Sequence, residues 1–407
     1  MSDIAVASVL GQIPSATGSA LPALPKTAMV FTQDRDSEGV IRQCLSDLGM
    51  DKAEFSNGGV EVAIADLKAR PSPLLLIVDV HGVDDPVGRI RDLANVCEPG
   101  TGVVVIGEAN DIRIYRGLKA AGVVEYYFKP LVRSLVMQTC HGILTGTTAV
   151  PPSRSGKLVF VVSVRGGSGG TMIAAVTAWY LAEIHKRRVG LIDMDLQYGD
   201  AALQLDVQPG AALKEALDHP ERVDELFLER GVTRVGERLG LMAGLESLDE
   251  IAMPDPKAVM SLLEQMLNRY RYVFVDIPAG VAPGLAHLLH LPGTVLLVST
   301  ATLACARDVA RWRDKIGPNS AEHTTLHILN KSGANDGLPD EEFTRAVGTP
   351  PDITIPFARE IGAASRLGVQ GLQKCGALQR GLVPLFRQLS GEEPPQARRS
   401  RLRNLLG

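Results

Sequence analysis

Short apolar segments recur along the chain, and segments with helical spacing separate them. Two of these apolar segments, residues 74–79 (LLLIVD) and 272–276 (YVFVD), are apolar almost throughout and close on an acid. Continuous apolar runs are typical of strands covered on both faces, and strands that alternate with helices form parallel sheets. The sequence therefore predicts an α/β protein with two doubly wound domains.

The strand series falls into two parts that a polar, proline-containing segment separates. Residues 146–157 (GTTAVPPSRSGK) are predicted to be this linker. We expect a flexible leader at 1–26, a first domain at 27–145, a second domain at 158–390 with a mostly parallel sheet of about seven strands, and a basic tail at 391–407.

Composition narrows the class of protein. Hydrophobic residues make up 45% of the 407 residues and the net charge is −4, which indicates a soluble globular protein and makes nucleic-acid binding unlikely as a general property. The five cysteines form no CxxC pair, so neither a zinc site nor a disulfide framework is expected. No run of 18 apolar residues exists, and we expect a cytoplasmic location.

A glycine-rich loop follows the first strand of the second domain and leads directly into a helix. Backbone amides of such a loop turn toward one point, and a helix N-terminus adds partial positive charge, so an anion site is predicted. A plain strand-to-helix turn is the alternative. The loop consists of Arg165, Gly166, Gly167, Ser168, Gly169, Gly170 and Thr171.

This loop resembles the deviant Walker A loop (K-G-G-x-G-K-[ST]) of MinD/ParA ATPases. The resemblance implies ATP and Mg²⁺ as cofactors, with Thr171 as an Mg²⁺ ligand. Arg165 replaces the first lysine, which in the family reaches the partner's nucleotide; an arginine that only holds the loop is the alternative. Gly170 replaces the second lysine, and losing such a charge typically costs ~10²–10³ in rate. Whether the domain hydrolyses ATP is therefore left open.

Acids end two predicted strands, and the same resemblance assigns them roles. Asp193 and Asp195 form a D-x-D pair whose side chains share one strand face. Asp195 is expected near Mg²⁺ and the attacking water, with Asp193 in support. Asp276 corresponds to Walker B and is expected to hold Mg²⁺ through water.

Asn330 ends a later predicted strand (TLHILN), where related ATPases place an asparagine against adenine. The string 330–333 (NKSG) is also similar to the N-K-x-D motif of GTPases. Gly333 stands where the guanine-reading aspartate belongs, so adenine is preferred over guanine. A strand-end turn without ligand contact is the alternative.

The block at 193–200 (DMDLQYGD) narrows the resemblance, over about residues 27–390, to TadZ/CpaE pilus-assembly proteins. Residues 355–357 (IPF) and the domain order, receiver-like then ATPase, are also similar. The resemblance implies a factor that localises and assembles a Flp-type (type IV) pilus secretion machine, often at a cell pole. It also implies a homodimer formed through the P-loop face and contacts with secretion-machinery proteins.

The first domain resembles a response-regulator receiver, a flavodoxin-like fold, with a degenerate phosphoacceptor site. Asp79 matches the acceptor and Lys129 precedes the expected proline. Thr32 and Gln33 occupy the positions of the acid pair, and Gly107 replaces the usual hydroxyl. Because Mg²⁺ needs oxygen ligands at such a site, we predict a pseudo-receiver used for protein contacts.

The C-terminal segment is basic. Four arginines cluster with leucines at 398–406, which favours a solvated tail over a weak membrane contact. A scaffold that binds no nucleotide and a DNA-partitioning ATPase are the alternative functions. An iron–sulfur reductase would need paired bridging cysteines, and Cys305 and Cys375 do not match that placement.

Overall fold

The structure is a computed structural model that describes residues 27–148, 156–249, 253–320, 322–365, 368–372 and 374–390. The predicted leader (1–26), the basic tail (391–407) and most of the predicted linker lie outside these residues. Within the described residues, no helix is long and apolar enough to cross a membrane.

The first domain is a five-stranded parallel sheet in the order β2-β1-β3-β4-β5, with helices on both faces. This order confirms the predicted flavodoxin-like fold. Its strands are β1 (Ala28–Thr32), β2 (Glu54–Asn57), β3 (Leu75–Asp79), β4 (Gly102–Gly107) and β5 (Glu125–Phe128). Its helices are α1 (Arg35–Asp47), α2 (Val60–Ala69), α3 (Pro86–Val96), α4 (Ile112–Ala120) and α5 (Arg133–Thr145).

The second domain is an eight-stranded sheet in the order β13-β12-β11-β6-β10-β7-β9-β8. All neighbouring strands pair in parallel except the two-residue β8, which pairs antiparallel with β9. In this domain, β8 is the one described strand that was not predicted from the sequence. The strands are β6 (Lys157–Ser163), β7 (Val189–Asp193), β8 (Thr233–Arg234), β9 (Leu239–Met242), β10 (Tyr272–Ile277), β11 (Gly293–Ser299), β12 (His323–Ser332) and β13 (Ile353–Pro356).

Ten helices flank this sheet in the described parts of the chain, and apolar side chains pack on both of its faces. The helices are α6 (Gly170–Glu183), α7 (Ala201–Gln204), α8 (Ala212–Asp218), α9 (Glu225–Gly231), α10 (Pro256–Arg269), α11 (Leu303–Ile316), α12 (Asp340–Val347), α13 (Arg359–Ser365), α14 (Gly368–Leu372) and α15 (Gly376–Ser390). The central strands β6, β7 and β10 are buried along nearly their whole length. Because these strands are parallel, the loops that follow them meet at one edge of the sheet.

The opposite edge of the second sheet packs directly on the first domain. The Arg187 guanidinium, just before β7, donates to the carbonyl oxygens of Leu67 (2.9 Å) and Val96 (2.8 Å). Arg271, just before β10, donates to the carbonyl of Asn95 at 2.8 Å. These carbonyls belong to the last turns of α2 and α3, so cations from one domain satisfy helix ends of the other. We call this contact the interdomain joint.

Candidate anion-binding site at the glycine-rich loop

The loop between β6 and α6 holds backbone amides without acceptors. Gly167 (φ 78°) and Gly169 (φ 90°) adopt the left-handed conformation that favours glycine. The Ser168 amide bonds to the carbonyl of Arg165 at 3.2 Å. Within the described chain, no acceptor contacts the amides of Gly166, Gly167, Gly169, Gly170 and Thr171. Such a set of free amides at a helix N-terminus is suited to an anion.

Two buried carboxylates stand at the same sheet edge on neighbouring strands. Asp193 ends β7 and is 1% exposed; Asp276 lies beside it in register on β10 and is 2% exposed. Asp193 accepts hydrogen bonds from the amides of Asp195 (3.0 Å) and Ala201 (3.1 Å). Thr171 lies close enough to Asp276 to lower the pKa of that carboxyl, and Oδ1 of Asp276 has no hydrogen-bond partner in the described residues. The structure thus brings Thr171 and Asp276 together and sets Asp193 next to them.

The electrostatics of this acid pair are unfavourable without a cation. Burial raises the pKa of Asp193 to about 6. Burial, and then the charge of Asp193, raise the pKa of Asp276 well above its ordinary value. Two carboxylates in one dry site cannot both ionise without cost, so a proton or a metal ion would stabilise the pair.

The residues fit Mg²⁺ only as a partial ligand set. In the described chain, no three His, Cys, Asp or Glu side chains are arranged to hold a metal by themselves. Mg²⁺ is commonly held by one or two carboxylates together with water and phosphate oxygens. Thr171 and the unpartnered Oδ1 of Asp276 match that arrangement. Asp195 instead accepts the amide of Tyr198 at 2.9 Å and is partly exposed.

Gly170, where the second lysine of the resembled motif is missing, is closely packed. A Cβ at this position would lie 2.2 Å from the Ser163 hydroxyl oxygen. Ser163, the last residue of β6, therefore occupies the space that a side chain at position 170 would enter. Sequence reasoning did not single out Ser163, because nothing in its local pattern signals this contact.

Arg165 forms an ion pair within its own chain. Its Nε lies 2.8 Å and its terminal nitrogen 2.7 Å from Oδ2 of Asp308 on α11. Hydrogen bonds from Arg307 and then Arg165 lower the pKa of the Asp308 carboxyl. This arrangement matches the alternative of a loop-holding arginine, and a role in trans would require Arg165 to leave Asp308.

Asn330 contacts the loop backbone. Its Nδ2 donates to the carbonyl of Ser168 at 2.8 Å, and its Oδ1 accepts the amide of Lys331 at 2.9 Å. The side chain is buried with both polar atoms engaged, so the structure shows it holding the loop; contact with adenine stays a prediction. Lys331, the second residue of the NKSG string, places its ammonium 2.8 Å from the carbonyl oxygen of Gly167.

The degenerate receiver pocket is closed by internal contacts. Asp79 is buried, and its Oδ2 accepts from Lys129 (2.8 Å) and from the Thr32 hydroxyl (3.0 Å). Oδ2 of Asp34 lies 3.7 Å from Nζ of Lys129, but the Asp34 carboxylate accepts backbone amides as the N-cap of α1. The structure therefore brings Asp79 and Lys129 together, with Thr32, at one of the acid-pair positions, also bonded to Asp79.

The surroundings of Gly107 leave no space for the serine or threonine side chain that a working receiver has at this position. A Cβ at Gly107 would lie 2.9 Å from the hydroxyl of Tyr126, which donates to the carbonyl of Ala109 at 2.8 Å. The tyrosine thus fills the position beside Asp79 where a working receiver needs a polar side chain.

The fold is that of a P-loop NTPase domain behind a receiver-like domain. No protein-family model matches the sequence. The septum site-determining protein MinD of Bacillus subtilis is 25% identical over 168 residues, which are 38% of this chain and 58% of that protein. The chain thus spans less than two thirds of that relative's length.

Two solved structures are also similar. The crystal structure of the pilus assembly protein CpaE from Caulobacter crescentus CB15 is 32% identical and covers 29% of this chain and 98% of its own, with a TM-score of 0.26. MinD from Pyrococcus horikoshii OT3, complexed with Mg-ADP, is 21% identical and covers 57% of this chain and 95% of its own, with a TM-score of 0.44. From the sequence identity to CpaE and to MinD, the chain belongs to the MinD/ParA family as a CpaE-like member.

Proposed function

We propose that this chain is a nucleotide-responsive factor that localises and assembles a Flp-type pilus secretion machine. ATP with Mg²⁺ binds at the glycine-rich loop, and hydrolysis is slow or absent because Gly170 provides no charge. The observation that carries the proposal is the set of free loop amides facing a buried acid pair. The assignment to a pilus machine is based on the CpaE relatives and on the motif at residues 193–200.

We further propose that two copies join through the face that carries the loop. Large apolar side chains are exposed in the loops, or at the first helical residue, that follow the parallel strands at the same edge as the P-loop. Exposed apolar groups in one region indicate an interaction surface. They are Tyr198 after β7, Leu245 and Leu248 after β9, Leu303 after β11, and Phe357 after β13.

A scaffold without nucleotide is the second candidate, and Ser163 favours it. Its hydroxyl lies in the space that a side chain at position 170 would enter, so the loop as it stands has no room for a lysine there. A DNA-partitioning role has no such support, since the net charge of −4 is unfavourable to it.

Isothermal titration with ATP and Mg²⁺, combined with light scattering for oligomeric state, tests the proposal. We expect saturable binding that shifts monomer toward dimer. Asp276→Asn should lose the Mg²⁺ dependence, and Asp195→Ala should retain binding while changing any hydrolysis. Absence of binding for ATP, ADP and Mg²⁺ would leave the scaffold as the function.

We propose that the first domain acts as a pseudo-receiver that contacts proteins. Lys129 and Thr32 already satisfy the Asp79 carboxylate, and Asp34 is engaged as a helix cap. Incubation with acetyl phosphate and Mg²⁺, followed by intact mass spectrometry, should show no stable adduct. A phosphoryl adduct that disappears in Asp79→Ala would contradict this.

A further inference from the structure

The loop needs a cation if it is to hold a polyphosphate, and its own residues provide none that is free. Position 170 is a glycine packed against Ser163. Arg165 is bound to Asp308 through two nitrogens. Free amides alone bind an anion, but a fixed positive charge adds a stronger, charge-assisted contact.

Lys331 is the cation that the fold places against the loop. Its Nζ donates to the carbonyl of Gly167 at 2.8 Å, and its backbone amide is held by Oδ1 of Asn330. The Nδ2 of Asn330 holds the next loop carbonyl, that of Ser168. Two consecutive carbonyls of the loop thus point toward β12, which leaves the loop amides free for another partner.

The ammonium of Lys331 has capacity left for a ligand. An ammonium group carries three donors, and one is used on Gly167. Among the residues that the structure describes, no carboxylate forms an ion pair with Lys331, and the contact lies at the exposed surface of the loop. This differs from Arg165, whose charge Asp308 already balances.

The backbone at Lys331 is in the left-handed region, with a φ of 58°. A residue with a Cβ adopts this conformation at a cost, and such strained positions concentrate at functional sites. Glycine would relieve the strain and follows only two positions later, at Gly333 (φ 74°). A favourable interaction of the lysine side chain must therefore offset the conformational cost of this position.

We propose that Lys331 supplies, from strand β12 of the same chain, the fixed positive charge for a bound polyphosphate that position 170 lacks. The inference rests on the proposed function, because it assigns a binding residue to the same site. Its ligand class is the polyphosphate group of a nucleotide, with the charge acting on phosphate oxygens.

The test compares ATP, ADP and inorganic tripolyphosphate by isothermal titration at ~50 and ~300 mM KCl. Lys331→Met removes the charge and keeps the stem, and Lys331→Arg restores a charge. Lys257→Met, on the exposed start of α10, is the matched control for loss of one positive charge. We expect Lys331→Met to bind ATP and tripolyphosphate roughly ten- to a hundredfold more weakly, with a smaller salt dependence.

The outcomes separate this inference from the function on which it rests. If wild type binds all three ligands and Lys331→Met binds them equally well, the role of Lys331 is wrong and the site stands. A loss confined to ATP and ADP would also overturn it, because the lysine would then act on the nucleoside. If wild type binds none of the ligands, both proposals fail.

A stability measurement distinguishes binding from a structural role. Lys331→Gly removes the strain at φ 58°, so the ligand-free variant should melt about 2 °C or more above wild type while binding tripolyphosphate more weakly. A variant that melts lower, with unchanged binding, would show that Lys331 only supports the loop.

Discussion

Asp193 and Asp276 lie side by side on neighbouring strands, and in the described chain neither forms an ion pair. Their burial opposes ionisation, and each charge opposes the other. In the absence of a cation, the neutral form of one acid is the stable one. The acid pair therefore destabilises the ligand-free fold at this point, and a bound metal ion would relieve that destabilisation.

This demand predicts how stability changes with pH. The folded pKa of Asp193, about 6, exceeds its ordinary value of 3.8, so the folded state holds the proton more tightly than the unfolded state. Stability should therefore fall as pH rises from about 4 to about 6. Across that window, metal-free wild type should lose on the order of 3 kcal/mol relative to Asp193→Asn.

Denaturant unfolding of both proteins at a series of pH values measures this difference. Comparing the change across pH removes the constant effect of the hydrogen bond that asparagine loses. Adding Mg²⁺ should reduce the difference above pH 6. A difference that does not vary with pH would contradict the raised pKa.

The close packing of Gly170 against Ser163 limits which side chains position 170 can hold. Gly170→Lys should destabilise the protein by about 1–2 kcal/mol, because its Cβ would lie 2.2 Å from the Ser163 hydroxyl oxygen. Adding Ser163→Ala should recover most of that loss and, if ATP binds, raise hydrolysis by roughly tenfold or more. Thermal unfolding of the two single variants and the double variant measures the coupling. Equal stability of Gly170→Lys with and without Ser163→Ala would contradict it.

At the scale of elements, the sequence predicted strands well because the strands are apolar on both faces. The predicted apolar segments 74–79 and 272–276 differ from β3 and β10 by one residue at one end. Short β2, with mixed burial, and two-residue β8 carry no such pattern and were missed.

The sequence predicts which residues share one sheet edge, but it does not predict the contacts between them. Acids at the ends of parallel strands share an edge with the glycine loop, so the proximity of Thr171 to Asp276 follows from topology. The contacts of Ser163, Asp308 and Lys331 join residues that are far apart along the chain. No local pattern contains that information.

The ion pair between Arg165 in the loop and Asp308 on α11 should affect dimerisation. Arg165 must leave Asp308 to reach a second subunit, so Asp308→Asn should lower the protein concentration needed for ATP-dependent dimers by about two- to fivefold. Asp314→Asn, on the same helix and exposed, is the control. Analytical ultracentrifugation with ATP and Mg²⁺ measures the dimer. If Asp308→Asn and Arg165→Ala both dimerise like wild type, the arginine has no role between subunits.

Across the whole molecule, the interdomain joint and the candidate site lie at opposite ends of the same strands. Arg188 precedes β7, which ends at Asp193, and Arg271 precedes β10, which contains Asp276. Glu98 of the first domain is buried in the joint and accepts the amide of Arg188 at 3.1 Å. A displacement of the first domain would therefore act directly on the strands that carry both acids.

Cations at the joint depend on the first domain for their partners. Burial, and then the charges of Arg271 and Arg187, lower the pKa of Lys157 to about 8. These groups repel one another, and the helix-end carbonyls of the first domain offset that repulsion. The two domains are thus expected to unfold as one cooperative unit.

Arg187→Ala tests this coupling. It leaves the carbonyls of Leu67 and Val96 without their donor in a buried contact, so we expect a loss of about 2–4 kcal/mol and a split of one thermal transition into two. Arg222→Ala, which removes an exposed arginine paired with Glu215, should leave a single transition. Differential scanning calorimetry measures both. Two transitions already present in wild type would mean that the joint does not couple the domains, and the acid pair would then respond to nucleotide and metal alone.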